Sequence, residues 1–110
     1  LRYANQREAT VCSGHFEIVS LTATLSRDGV HAHICLADGE GRTFGGHVMR
    51  GCLVYTTAEL VIGEATDVVF TRPIDPRTTY DELAVAPLVT ADKTADAASP
   101  APASGSVSLS

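Results

Sequence analysis

At 110 residues the chain has room for one domain, and a hydrophobic share of 45% places it among ordinary globular sequences. Its formal charge is −5, from eight Lys plus Arg against thirteen Asp plus Glu, and seven of the eight bases are arginines scattered singly. A basic stripe that could neutralise phosphates is missing, which argues against autonomous DNA binding by charge. Aromatics reach only 5% and Trp is absent, so any core is a thin one of Val, Leu, Ile and Ala, and a homo-oligomer is expected.

Cys12, Cys35 and Cys52 form an odd set without a C-x-x-C pair, which fits reduced thiols better than a disulfide framework or a zinc knuckle. No apolar run approaches the roughly 18 residues of a membrane span, and no secretory leader is visible. The expected location is therefore the cytoplasm, with no membrane partner.

In chain order, Leu1-Arg2-Tyr3-Ala4 reads as the end of a strand, without an initiator Met. Phe16 to Leu25 is rich in β-branched residues and alternates, with Val19, Leu21, Ala23 and Leu25 on one face, which predicts a strand. Ser26-Arg27-Asp28-Gly29 supplies a turn. Val30 to Ala37 then sets His31, His33 and Cys35 on one face against Ala32, Ile34 and Leu36 on the other, the period of a second strand. After the loop Asp38-Gly39-Glu40-Gly41, a return strand is expected from Arg42 to Val48.

If Ala37 faces Thr43, opposed residues have numbers summing to 80, and His33 falls across from His47; a shift of one residue would separate them. Gly45-Gly46 inside that strand suggests a bulge or a close approach by another backbone or a ligand. Leu53 to Ile62 and Asp67 to Thr71 read as further strands, and Tyr80 to Ala86 as a short closing one. The domain is expected over 1–88, followed by a disordered Ala/Ser/Pro-rich tail over 89–110.

One constellation could carry chemistry. His31-x-His33 places two imidazoles on one strand face, about 7 Å apart at the backbone. His47 would complete a three-histidine set with an open coordination position, as in catalytic zinc sites. Iron, nickel and copper also accept imidazole, but one divalent ion, zinc first, is the expected cofactor. Against this stands the plainer alternative of a polar face turned to water or to a subunit neighbour. Glu59, inside an apolar run, and Cys35, on the histidine face, are candidates to support the site, although a solvated carboxylate and a small buried hydrophobe are the commoner roles of such residues. No catalytic residue is assigned, since neither a P-loop, a dinucleotide fingerprint nor a nucleophile elbow is present.

The ordered series Gly14-His15-Phe16-Glu17-Ile18-Val19-Ser20-Leu21, His31-Ala32-His33, Leu36-Ala37-Asp38, Gly45-Gly46-His47, Gly51-Cys52 and Thr57-Ala58-Glu59 resembles the PPC domain shared by plants and prokaryotes. The likeness runs from about Leu1 to Val85. It implies an α+β fold with a mixed, mostly antiparallel sheet and a homotrimeric assembly. It also implies a strand-helix-strand unit ahead of Leu1, so that this chain is expected to be nearly all-β. Prokaryotic members carry a DNA-binding label, yet the AT-hook that touches DNA in the plant proteins has no counterpart here, so DNA or a DNA-bound protein is expected as an indirect partner. The resemblance further implies partner contacts at Gly14, His15, Phe16, Glu17 and Ile18, and metal ligation by His31, His33 and His47. A trimeric binding or regulatory module ranks first, ahead of a metal-dependent enzyme using the same three histidines.

Overall fold

The computed structural model describes residues 1–89, and the tail expected over 89–110 lies, from residue 90 onward, outside the described residues. Five strands form: β1 (Glu17–Ser26), β2 (Gly29–Ala37), β3 (Thr43–His47), β4 (Val68–Thr71) and β5 (Ala84–Pro87). They make a three-stranded sheet in the order β1-β2-β3 and a two-stranded ribbon β4-β5, antiparallel throughout. Among the described residues there is no helix, so the fold is nearly all-β. It follows that no helix there is long and apolar enough to cross a membrane.

The β1–β2 hairpin closes on Arg27-Asp28, with Ser26 paired to Gly29. The Asp28 amide donates to Ser26 Oγ at 3.1 Å, and Gly29 takes a φ of +123° that a side chain would strain. Val19 is the extra residue of a bulge, because pairing passes from Ile18↔Leu36 to Ser20↔Cys35. The bulge corrects the expected apolar face: Ile18, not Val19, aligns with Leu21, Ala23 and Leu25, opposite Leu36, Ile34, Ala32 and Val30. On the other face lie Ser20, Thr22 and Thr24 opposite Cys35, His33 and His31.

The β2–β3 register matches the expected sum of 80, from Ala37↔Thr43 to His33↔His47. Asp38 organises the connection: its Oδ1 accepts the amides of Glu40 and Arg42, both at 2.9 Å, and its Oδ2 takes the Arg42 Nε–H at 2.9 Å. The Arg42 guanidinium holds the Asp38 carboxyl below the usual carboxylate range. On its free side β3 meets the N-terminal segment, where Arg2 and His47 exchange amide and carbonyl bonds at 3.0 Å. The reading of Leu1–Ala4 as strand-like is thus realised as a single bridge.

Two expectations are corrected. Leu53 to Ile62 is not a strand, since it finds no ladder partner among the described residues and an extended segment without one has unpaired backbone. Its apolar side chains face outward, Leu53 at 90% exposure and Tyr55 at 69%. The closing strand is shorter than Tyr80 to Ala86: Asp81 makes one bridge to Ile74, and regular pairing starts at Ala84. The core is correspondingly small, with only Leu1 and Ala32 among the described apolar residues buried and neither completely so.

Candidate metal centre

Strand alternation and hairpin register bring His31, His33 and His47 together. His31 and His33 sit two apart on β2 and stack with ring centroids 5.1 Å apart. His47 meets both edge-on, at 4.9 Å from His31 and 5.4 Å from His33. One potential ligand atom from each ring lies within 4.8 Å of the others.

Glycine makes this register possible. A Cβ on Gly45 would collide with the Ile34 carbonyl oxygen, and one on Gly46 would stand 2.7 Å from the Arg2 carbonyl oxygen. The space beside Gly45-Gly46 is therefore filled by neighbouring backbone. Of the expectations for this pair, close approach by another backbone is met; the β2–β3 register runs through it without a bulge, and neighbouring backbone occupies the places where side chains would stand.

Hydrogen bonding assigns the protons. An Arg72 Nη2–H donates to His31 Nδ1 at 2.8 Å, and a guanidinium cannot accept. A neutral His31 ring then carries its proton on Nε2, which donates to His33 Nε2 at 3.1 Å. His47 Nδ1 is buried with no partner among the described residues. Such an unpartnered ring nitrogen beside two further imidazoles fits a cation once the ring presents its lone pair there.

The electrostatics favour the neutral form of His31 and His47, the form that ligates metal. Burial, followed by the charges of Arg72 and His33, holds His31 below the ordinary imidazole value, with Glu82 acting weakly in the opposite direction. For His47 burial again leads, reinforced by Arg2 and the other two histidines.

A cleft of about 420 Å³ opens beside His31 and His47, and its walls include Arg2, Arg72, Asp28 and Glu82. Arg72 ties the two sheets together here. Its amide donates to Asp28 Oδ2 at 2.9 Å, and its Nη2 also reaches the Asp81 carbonyl oxygen at 2.8 Å. Sequence reasoning passed over Arg2 and Arg72, whose only local signal is their position at a strand end.

The remaining candidates stand apart from the cluster. Cys35 shares the histidine face but pairs with Gly45, one step along the ladder. Glu59 is exposed in the irregular segment, not in a strand. In the stretch Gly14–Ile18, His15 stacks on Tyr55 at 4.1 Å and Phe16 meets Phe44 edge-on at 5.1 Å, while Gly14, Glu17 and Ile18 are exposed.

Residues 1–66, which hold the first sheet and all three histidines, match the Plants and Prokaryotes Conserved (PCC) domain. The chain belongs to the PCC domain family. Two proteins of Synechococcus, each named Bifunctional protein GlmU, are 44% identical to it, over 93% of the chain in strain JA-3-3Ab and 80% in strain JA-2-3B'a(2-13). The PCC chain spans only 16% and 14% of their respective lengths. The solved structure of a hypothetical protein from Salmonella cholerae-suis (Salmonella enterica) superposes with a TM-score of 0.77 at 44% identity, covering 81% of this chain and 64% of that one.

Proposed function

We propose that this PCC domain is a binding module that holds one divalent cation, zinc first, between His31, His33 and His47, and that it works as a homotrimer. The observation that carries the metal site is the convergence of three imidazole ligand atoms within 4.8 Å of one another. Supporting it are the orphaned His47 Nδ1 and the lowered proton affinity of His31 and His47. A three-imidazole ion keeps a coordination position open, where it polarises an oxygen ligand or lowers the pKa of bound water.

The apolar side chains of residues 53–62, such as Leu53, Tyr55 and Val61, support self-association, because a monomer leaves them in water. With a net charge of −5, any link to DNA runs through a DNA-bound protein rather than through phosphate contacts. The segment Gly14–Ile18 is the proposed partner contact.

An enzymatic role is the second reading, favoured by the cleft that adjoins the open position. The two share one first experiment, elemental mass spectrometry on the purified chain and on a His31/His33/His47 triple alanine variant. Stoichiometric metal that disappears in the variant is expected; no metal in either protein overturns the site.

A further inference from the structure

Two guanidiniums line the cleft, and neither has a carboxylate partner among the described residues. The ion pairs there join Arg27 to Asp28, Arg42 to Asp38 and Glu40, and Arg77 to Asp75. Arg72 instead spends its Nη2 on two neutral acceptors, His31 Nδ1 and the Asp81 carbonyl oxygen. Arg2 is fixed by its backbone bridge to His47 and lines the same cleft, and its charge acts on both His31 and His47. Two half-buried positive charges beside His31 and His47, neither in a side-chain ion pair among the described residues although Asp28 Oδ2 accepts the Arg72 amide, suit an oxyanion.

Acidic residues line the same cleft, Asp28, Asp81 and Glu82 among them. Glu82 faces the cleft and accepts a bond from Thr78 Oγ1 at 3.0 Å, and Asp81 stands next to it. Carboxylates there repel a bare polyanion and accept from hydroxyl groups. At about 420 Å³ the cleft falls in the range of small-molecule sites.

We propose that the cleft binds a small ligand that presents a carboxylate or phosphate group to Arg2 and Arg72 and hydroxyl donors to Asp81 and Glu82. The assignment rests on the three-histidine metal reading only for a third anchor, the open coordination position; the arginine contacts are independent of it. The His31 tautomer links the two. Ligation through His31 Nε2 requires the ring proton on Nδ1, where Arg72 now donates, so Arg72 must leave His31 and becomes available to the anion.

The test is isothermal titration of L-malate, inorganic phosphate and glycerol into the full chain. It is run zinc-loaded and after chelation with the chelator removed, for wild type, Arg2→Met and Arg72→Met, with zinc content measured in parallel. Malate or phosphate is expected to bind the wild type and to bind each variant about tenfold or more weakly, as loss of a charge-assisted bond implies, while glycerol does not bind. Phosphate binding without malate identifies phosphate as the anion source and still supports the site. Arg72→Met is expected to move the two affinities in opposite directions, tighter for zinc and weaker for the anion. Failure of both anions with the wild type, or binding to both variants within about twofold of it, overturns the proposal. Absence of zinc throughout overturns the metal reading alone, because the chelated arm still reports on the arginines.

Discussion

His33 stands directly across from His47 in the β2–β3 ladder, and that single pairing converts a His-x-His strand into a three-imidazole cluster. A one-residue slip would send His47 to the apolar face, with Leu36 and Ile34, and turn Phe44 toward the histidines. The chemistry of the site therefore depends on whatever holds the register.

Removing the ladder partner should remove the metal. His47→Ala and His33→Ala are each expected to weaken zinc binding by more than the roughly 10–100-fold typical of losing an outer-sphere contact, since a ligand itself is lost. Competition against a chromophoric chelator measures it. Wild-type affinity in either variant would show that the cluster is only a polar face.

Gly45→Ala tests the register from the backbone side. The added methyl meets the Ile34 carbonyl oxygen, an atom held in the ladder that cannot swing away. Overpacking of this kind costs about 1–3 kcal/mol. A drop in the urea midpoint without a change in slope, together with weaker zinc binding, is expected.

Much of this arrangement is legible in the sequence, because it rests on local rules. Alternation from Val30 to Ala37 sets the histidine face, Asp28-Gly29 closes one hairpin, and the loop after Ala37 fixes the sum of 80 that pairs His33 with His47. The rest depends on distant partners. Leu53 to Ile62 carries strand-forming residues but meets no neighbouring ladder among the described residues, and propensity does not supply one. The Val19 bulge shifts the apolar face by one residue without any Gly or Pro to mark it. Arg72 reaches His31 across 41 positions, a contact that no local spacing encodes.

The lowered proton affinity of His31 and His47 gives acid sensitivity with a defined sign. Above the ordinary value of 6.5 the rings are neutral in both folded and unfolded chains, and they add no pH dependence. Below it the unfolded chain takes up protons first, so the metal-free protein loses stability as pH falls from 6.5 through the folded values. Urea midpoints at pH 7.5 and 5.5 are expected to differ for the wild type and to converge in a His31→Gln/His47→Gln double variant. An unchanged pH response in that variant would assign the loss to other groups.

Asp38 sets a second acid window, lower and independent. Its carboxyl is held below the ordinary 3.8 by Arg42, so its contribution to the loop is full above that value and fades as pH falls through the folded one. Asp38→Ala removes the acceptor of two amides and of the Arg42 side chain at once. It is expected to lower the urea midpoint and to weaken zinc binding severalfold, because the loop it organises joins the strands that carry His33 and His47. Asp75→Ala provides the control: it breaks an equivalent Arg77 contact in the connection between β4 and β5, at 2.6 Å, away from the histidine ladder. If both variants reduce zinc affinity equally, the effect is general loosening of the fold; if Asp38→Ala alone does so, the β2–β3 loop is what keeps His33 opposite His47.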